Sequence, residues 1–164
     1  MVKICPNAYP VSNQKTYSSY FEKYPFPLSS FQKFAIESIV EGNHILVTAH
    51  TGSGKTLPAE FAIEHFITKR KKVIYTSPIK ALSNQKLYDF TQKYPTISFG
   101  LLTGDTSING EADILVMTTE VLRNMLYAGS NTLTNLGCVV MDEVHYLADK
   151  FRGAVWEEVL IHLL

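Results

Sequence analysis

Ala49-His-Thr-Gly-Ser-Gly-Lys-Thr56 decides the fold. The octet matches the phosphate-loop spacing G-x-x-x-x-G-K-S/T, with Ala49 in place of the first glycine. Phosphate oxygens need several backbone N–H groups aimed at one point, so side chains must be absent where the loop turns inward, here at Gly52 and Gly54. Thr51 and Ser53 complete the loop. A helix starting behind it adds further free N–H groups and the positive end of its dipole. In such a loop Lys55 reaches the β and γ phosphates of ATP, and the Thr56 hydroxyl ligates Mg²⁺. A plain glycine turn ahead of a helix cap is the alternative, and it requires none of this spacing.

The flanking sequence has the alternation that a phosphate loop requires. Short apolar runs are predicted as strands at 44–49, 72–77, 98–103, 113–118 and 136–142. Helical patterns are predicted at about 31–40, 55–69, 79–93 and 120–127, with an amphipathic helix closing the chain at 155–164. Ile114-Leu-Val-Met117 and Cys138-Val-Val-Met141 are continuously apolar, the signature of strands covered on both faces. The expectation is an α/β domain with a mostly parallel twisted sheet and helices on both faces, over residues 28–164. Residues 1–27, with four of the seven prolines, are expected to form an irregular arm. In such a sheet, ligands bind beyond the carboxyl ends of the strands.

Met141-Asp-Glu-Val-His145 lies at such an end. Asp142 is placed to hold the Mg²⁺ that Thr56 also sees, and Glu143 to orient and deprotonate a water attacking the γ phosphate. A solvated acidic turn is the alternative, and His145 alone reads as structural. Ser77-Pro78 fits a helix N-cap followed by proline, and Thr118 or Thr119 with Glu120 fits a second cap. Lys69-Arg-Lys-Lys72 is expected at the opposite, amino edge of the sheet as solvated charge at a helix end.

Composition narrows the partners. Fifteen Lys plus Arg against fifteen Asp plus Glu leave no net charge, so any contact with a polyanion is local. Cys5 and Cys138 are too few for a disulfide framework, and no Cys or His spacing suggests zinc. No run approaches the roughly 18 apolar residues of a membrane span, and Met1 to Pro10 lacks a signal-peptide core. An intracellular protein, cytoplasmic or nuclear and with no membrane partner, is expected.

Taken together, the phosphate loop and Asp142-Glu-Val-His145 resemble superfamily 2 helicases of the DExH class, which have RecA-like lobes. Thr76-Ser-Pro-Ile-Lys-Ala-Leu-Ser-Asn-Gln-Lys86, Leu102-Thr-Gly-Asp105, Val116-Met-Thr-Thr-Glu-Val-Leu-Arg-Asn-Met-Leu126 and Arg152-Gly-Ala-Val-Trp-Glu-Glu158 narrow the resemblance to the superkiller-type RNA helicases associated with the exosome. The resemblance covers roughly residues 24–164. It implies an adenine-reading glutamine at Gln32 and an aromatic on the base, for which Phe26 is the candidate. It also assigns backbone contacts with single-stranded RNA to Pro78, Lys80, Gln85, Thr103, Gly104, Thr118, Thr119 and Arg123, and a coupling role to His145.

These helicases have two RecA-like lobes, and the sequence ends before the Ser-Ala-Thr motif or any second-lobe motif. The resemblance therefore implies a second RecA-like lobe supplying arginine fingers, which contribute about 10³ to 10⁵ in rate. It also suggests RNA-decay machinery as a partner. Two alternatives stay open: a non-catalytic nucleotide- or RNA-binding module, and the lobe of a DNA-directed DExH helicase.

Overall fold

A computed structural model describes residues 4–164, so the first three residues of the arm expected over 1–27 lie outside the described residues. The chain forms two compact units, one reaching His65 and the other running from Phe66 to Leu164.

In the first unit, helices α1 (Val11–Thr16) and α2 (Ser18–Phe21) correct the expectation of an irregular arm. Pro10 takes the N-cap position of α1, where its missing N–H costs nothing, and the next proline is Pro25, so nothing interrupts the turns between. Helix α3 (Ser30–Val40) opens with a capping box between Ser29 and Gln32 and buries Phe34, Ala35, Ile36 and Ile39. The arm holds on to α3 through Glu37. Tyr9 Oη donates to Glu37 Oε2 at 2.6 Å and Asn13 Nδ2 to Oε1 at 2.9 Å, while Tyr17 Oη donates to Glu41 Oε1 at 2.6 Å. The Tyr9 ring packs edge-on against Phe21 and Phe34. Burial, and then the Glu37 carboxylate, push the Tyr9 phenol far above its usual range.

The strand expected at 44–49 is not formed. Ile45 and Leu46 are exposed rather than covered. An apolar run becomes a strand only by pairing with a neighbour, and propensity alone does not supply one. Helix α4 (Thr56–Thr68) follows the phosphate loop and buries Leu57, Phe61, Ala62 and Ile63.

The second unit is built on five strands: β1 (Lys72–Ser77), β2 (Phe99–Leu102), β3 (Ser107–Ile108), β4 (Ile114–Thr118) and β5 (Leu136–Met141). Their order is β3-β2-β4-β1-β5, parallel except for the β2–β3 pair. Helices α5 (Lys80–Lys93), α6 (Thr119–Ala128) and α7 (Gly153–Leu163) complete it. Strand alternation divides the core. Ile74, Leu115 and Met117 point to one face, where they cluster with Leu122 of α6 and Val159 of α7. Tyr75 points to the other, its ring 5.2 Å from Phe90 of α5, which stacks on Phe99. The α/β class with a mostly parallel sheet and helices on both faces is as expected.

Strand β4 is covered on both faces, buried from Ile114 through Met117, but β5 is not. Cys138-Val-Val-Met141 is half-buried throughout, because β5 forms one edge of this sheet. Burial still pushes the Cys138 thiol up to about 11. Ser77 is not a cap either. Helix α5 begins at Lys80 with Ile79 at its N-cap, and the Ser77 hydroxyl pairs with that of Ser83 at 2.7 Å. Thr118 does occupy the N-cap position of α6, with Glu120 in the first turn, although its side chain makes no capping bond. The basic run sits past the end of α4 and at the amino end of β1, with Lys72 paired to Glu111 at 3.4 Å.

Candidate nucleotide and nucleic-acid site

In the first unit the phosphate loop turns at Gly52 and Gly54, with φ of 81° and 85°, a region open to glycine and costly for other residues. Thr51, Gly52, Gly54, Lys55 and Thr56 are exposed, and Ser53 is half-buried with its hydroxyl on the His50 carbonyl at 2.7 Å. Lys55 Nζ reaches back across the loop to the Ala49 carbonyl. Thr56 is the first residue of α4, so its N–H lies in the turn whose amides have no partner within the helix. Left-handed glycines, a lysine arching over the loop and a fresh helix N-terminus are a donor set that suits a polyphosphate.

Gln32 binds this loop. Its Nε2 donates to the Gly54 carbonyl at 3.2 Å, and its Oε1 accepts the Ser29 N–H at 2.9 Å. A carboxamide has two donor hydrogens and two acceptor lone pairs, so one of each stays available to a base edge. Phe26 is half-exposed and lies 5.8 Å from the Tyr24 ring.

The carboxylates stand in the second unit, just past β5. Asp142 is held at both oxygens. Its Oδ1 accepts the Glu143 N–H at 2.9 Å, and its Oδ2 accepts the Tyr75 hydroxyl at 2.5 Å with Lys86 Nζ 4.0 Å away. Glu143 has φ 54°, a left-handed conformation that a residue with a Cβ adopts at a cost. Its carboxylate lies 3.2 Å from His145 Nδ1, and His145 is exposed. An anionic carboxylate that keeps unused lone pairs and has a second acid beside it suits a hard divalent cation and a polarised water. Among the described residues no group of three or more His, Cys, Asp or Glu is placed to hold a metal ion.

The residues assigned to nucleic acid lie in different surroundings. Lys80 Nζ contacts both oxygens of Asp105, at 2.8 and 2.6 Å, and Thr103 Oγ1 donates to Asp105 Oδ1 at 2.9 Å. Gly104, between them in sequence, is exposed with open space where a Cβ would stand. Thr119 is buried with its hydroxyl on the Ser77 carbonyl at 3.4 Å, so it ties β1 to α6 rather than facing solvent. The Pro78 carbonyl accepts from Arg152 Nη1 at 3.1 Å. Gln85 pairs with Asp89 at 2.7 Å, and Arg123 lies 3.7 Å from Glu158. Sequence reasoning did not single out Tyr75 or Asp105. A tyrosine in a strand buried from Val73 to Ser77 has a hydroxyl that needs a partner, but the sequence does not say which partner.

The profile of the DEAD/DEAH box helicase family matches residues 29–164. The chain belongs to that family. Within it, the chain is 54% identical over 139 residues to "Probable helicase HelY" of Mycobacterium leprae, covering 85% of this chain and 15% of that protein. It is 46% identical over 164 residues to "ATP-dependent RNA helicase mtr4" of Schizosaccharomyces pombe, covering 99% of this chain and 14% of that one. The chain thus spans about one seventh of the length of these helicases. The structure of Mycobacterium smegmatis helicase Lhr bound to ssDNA and AMP-PNP superposes with a TM-score of 0.60 at 32% identity, over 94% of this chain and 23% of that one. In this DEAD/DEAH box member the tetrad reads Asp-Glu-Val-His.

Proposed function

We propose that this chain is the ATP-binding lobe of an ATP-dependent RNA helicase that couples hydrolysis to unwinding or translocation and works with a second RecA-like lobe. The observation that carries the reading is the occurrence, in one family member, of a loop whose two glycines take left-handed φ ahead of Lys55 and of a tetrad whose first carboxylate is hydrogen-bonded at both oxygens. The loop amides and Lys55 take the phosphates of ATP. Thr56 and Asp142 serve Mg²⁺, which when bound neutralises charge on the phosphates. Glu143 orients the attacking water and accepts its proton, and His145, whose Nδ1 lies 3.2 Å from the Glu143 carboxylate, carries the coupling role. Gln32 takes the adenine edge and Phe26 its face. Phosphates of the RNA strand meet Pro78, Lys80, Gln85, Thr103, Gly104, Thr118 and Arg123, while Thr119, also assigned by the resemblance, is buried with its hydroxyl on the Ser77 carbonyl. Contacts of this kind carry no base readout, so sequence-tolerant binding follows. The name of the Schizosaccharomyces pombe relative, an ATP-dependent RNA helicase, supports RNA as substrate. RNA-decay machinery as a partner and a cytoplasmic or nuclear site of action belong to the same proposal.

RNA-stimulated ATPase activity of the full-length protein tests this reading. Lys55→Ala and Glu143→Gln are expected to abolish it. Binding of Mg-ATP without turnover in the full-length protein would instead identify a non-catalytic binding module. The likeness to a helicase solved on ssDNA favours one second reading, a DNA-directed motor, and stronger stimulation by single-stranded DNA than by RNA would establish it.

A further inference from the structure

The Tyr75 hydroxyl belongs to none of the roles assigned above. Tyr75 is 2% exposed in the middle of β1, its ring wedged edge-on against Phe90. It meets Asp142 across 67 positions of sequence, because β1 and β5 run parallel with Tyr75 opposite Val140 and Thr76 opposite Met141. Asp142 N–H donates to the Thr76 carbonyl at 3.0 Å, so the backbone of the acid is anchored to the same strand. Lys86 of α5 stands over the Tyr75 ring, 5.8 Å from its centre, with its ammonium 4.0 Å from the same Asp142 oxygen.

Resting on the helicase reading, we infer that Tyr75 is a positioning residue for the divalent cation: its hydroxyl fixes the Asp142 carboxylate that receives the ion, and Lys86 is the charge with which the ion competes. A carboxylate free to rotate loses side-chain freedom when it takes a metal, whereas one already held by a neutral donor does not. A phenol is suited to this task because it orients the acid without bringing a positive charge. Lys86 does bring one. Its attraction to Asp142 opposes an incoming cation, so the two neighbours act on metal affinity with opposite sign.

The test uses Tyr75→Phe and Lys86→Met in the full-length protein. Phenylalanine keeps the ring that packs on Phe90, and methionine keeps the unbranched stem. Binding of a fluorescent ATP analogue is titrated against Mg²⁺, and again in EDTA. Tyr75→Phe is expected to raise the half-saturating Mg²⁺ concentration roughly 10-fold, with binding in EDTA unaltered and the loss recovered at high Mg²⁺. Lys86→Met is expected to lower that concentration. An unchanged Mg²⁺ requirement in Tyr75→Phe overturns the inference, as does a shift in the same direction for both variants, which would indicate general damage. Failure of the unsubstituted protein to bind nucleotide at any Mg²⁺ concentration would overturn the helicase reading instead.

Discussion

Gln32 and Gly54 constrain each other: the Gln32 amide donates to the Gly54 carbonyl at 3.2 Å, and a Cβ built on Gly54 would stand 2.6 Å from that same amide nitrogen. Helix α3 thereby holds the turn of the phosphate loop that directly precedes Lys55.

Alanine at the two loop glycines separates backbone strain from crowding. Gly52 has open space where a Cβ would stand, so Gly52→Ala meets only its left-handed φ, about 1–2 kcal/mol. Gly54→Ala adds the collision with Gln32 and is expected to lower the melting temperature further. Combining it with Gln32→Ala should remove the collision but not the φ cost. Thermal unfolding of the four proteins measures both.

Glu143 stores strain at the position proposed for the catalytic base. Glu143→Gly relieves a φ of 54° worth about 1–2 kcal/mol, offset by the extra freedom glycine has when unfolded, about 0.4–1 kcal/mol. The lost contact with His145 is largely exposed and contributes little. Chemical denaturation is therefore expected to show a gain near ~1 kcal/mol, alongside loss of ATP hydrolysis.

Asp105 gives a pH signature. The Lys80 ammonium first, and then the Thr103 hydroxyl, hold its carboxyl at about 2, well below the usual range near 3.8. A depressed folded-state pKa contributes stability that is present above the unfolded value and is lost as pH falls through the folded one, so the window lies between about 4 and about 2. Carboxyl carbon NMR should find the Asp105 midpoint at the low end of that window, and Lys80→Met should move it upward. Because Asp105 is exposed, high salt should weaken the effect.

The arm is expected to contribute to stability through Glu37. This carboxylate is buried, with Tyr9 and Asn13 among its donors. Tyr9→Phe leaves the ring packing intact and removes one donor from a buried charge, a loss of about 1–3 kcal/mol. Denaturant titration reads it. A value near zero would mean that the arm rests on α3 without holding it.

Local signals were legible in this sequence wherever neighbouring residues alone decide the outcome. The spacing of Gly52, Gly54, Lys55 and Thr56 marks the loop proposed to take phosphates, and both of its glycines have left-handed φ. Continuous apolar runs located β1 and β4, and 3.6-residue periodicity located α3 to within one residue at its start, because burial on both faces or on one stripe leaves a mark in composition. Pairing leaves no such mark. Residues 44–49 are as apolar as a strand and remain unpaired, β5 reads as buried and lies at an edge, and β3 is two residues long. Composition and spacing thus sufficed for the fold class and the family and named the residues proposed for the site. Tertiary structure alone decided that Gln32 braces the loop, that Tyr75 and Lys86 flank Asp142, that Asp105 engages Lys80 and that Glu143 is strained. The first three of these depend on residues brought together by strand register or helix packing, over separations that no local pattern encodes.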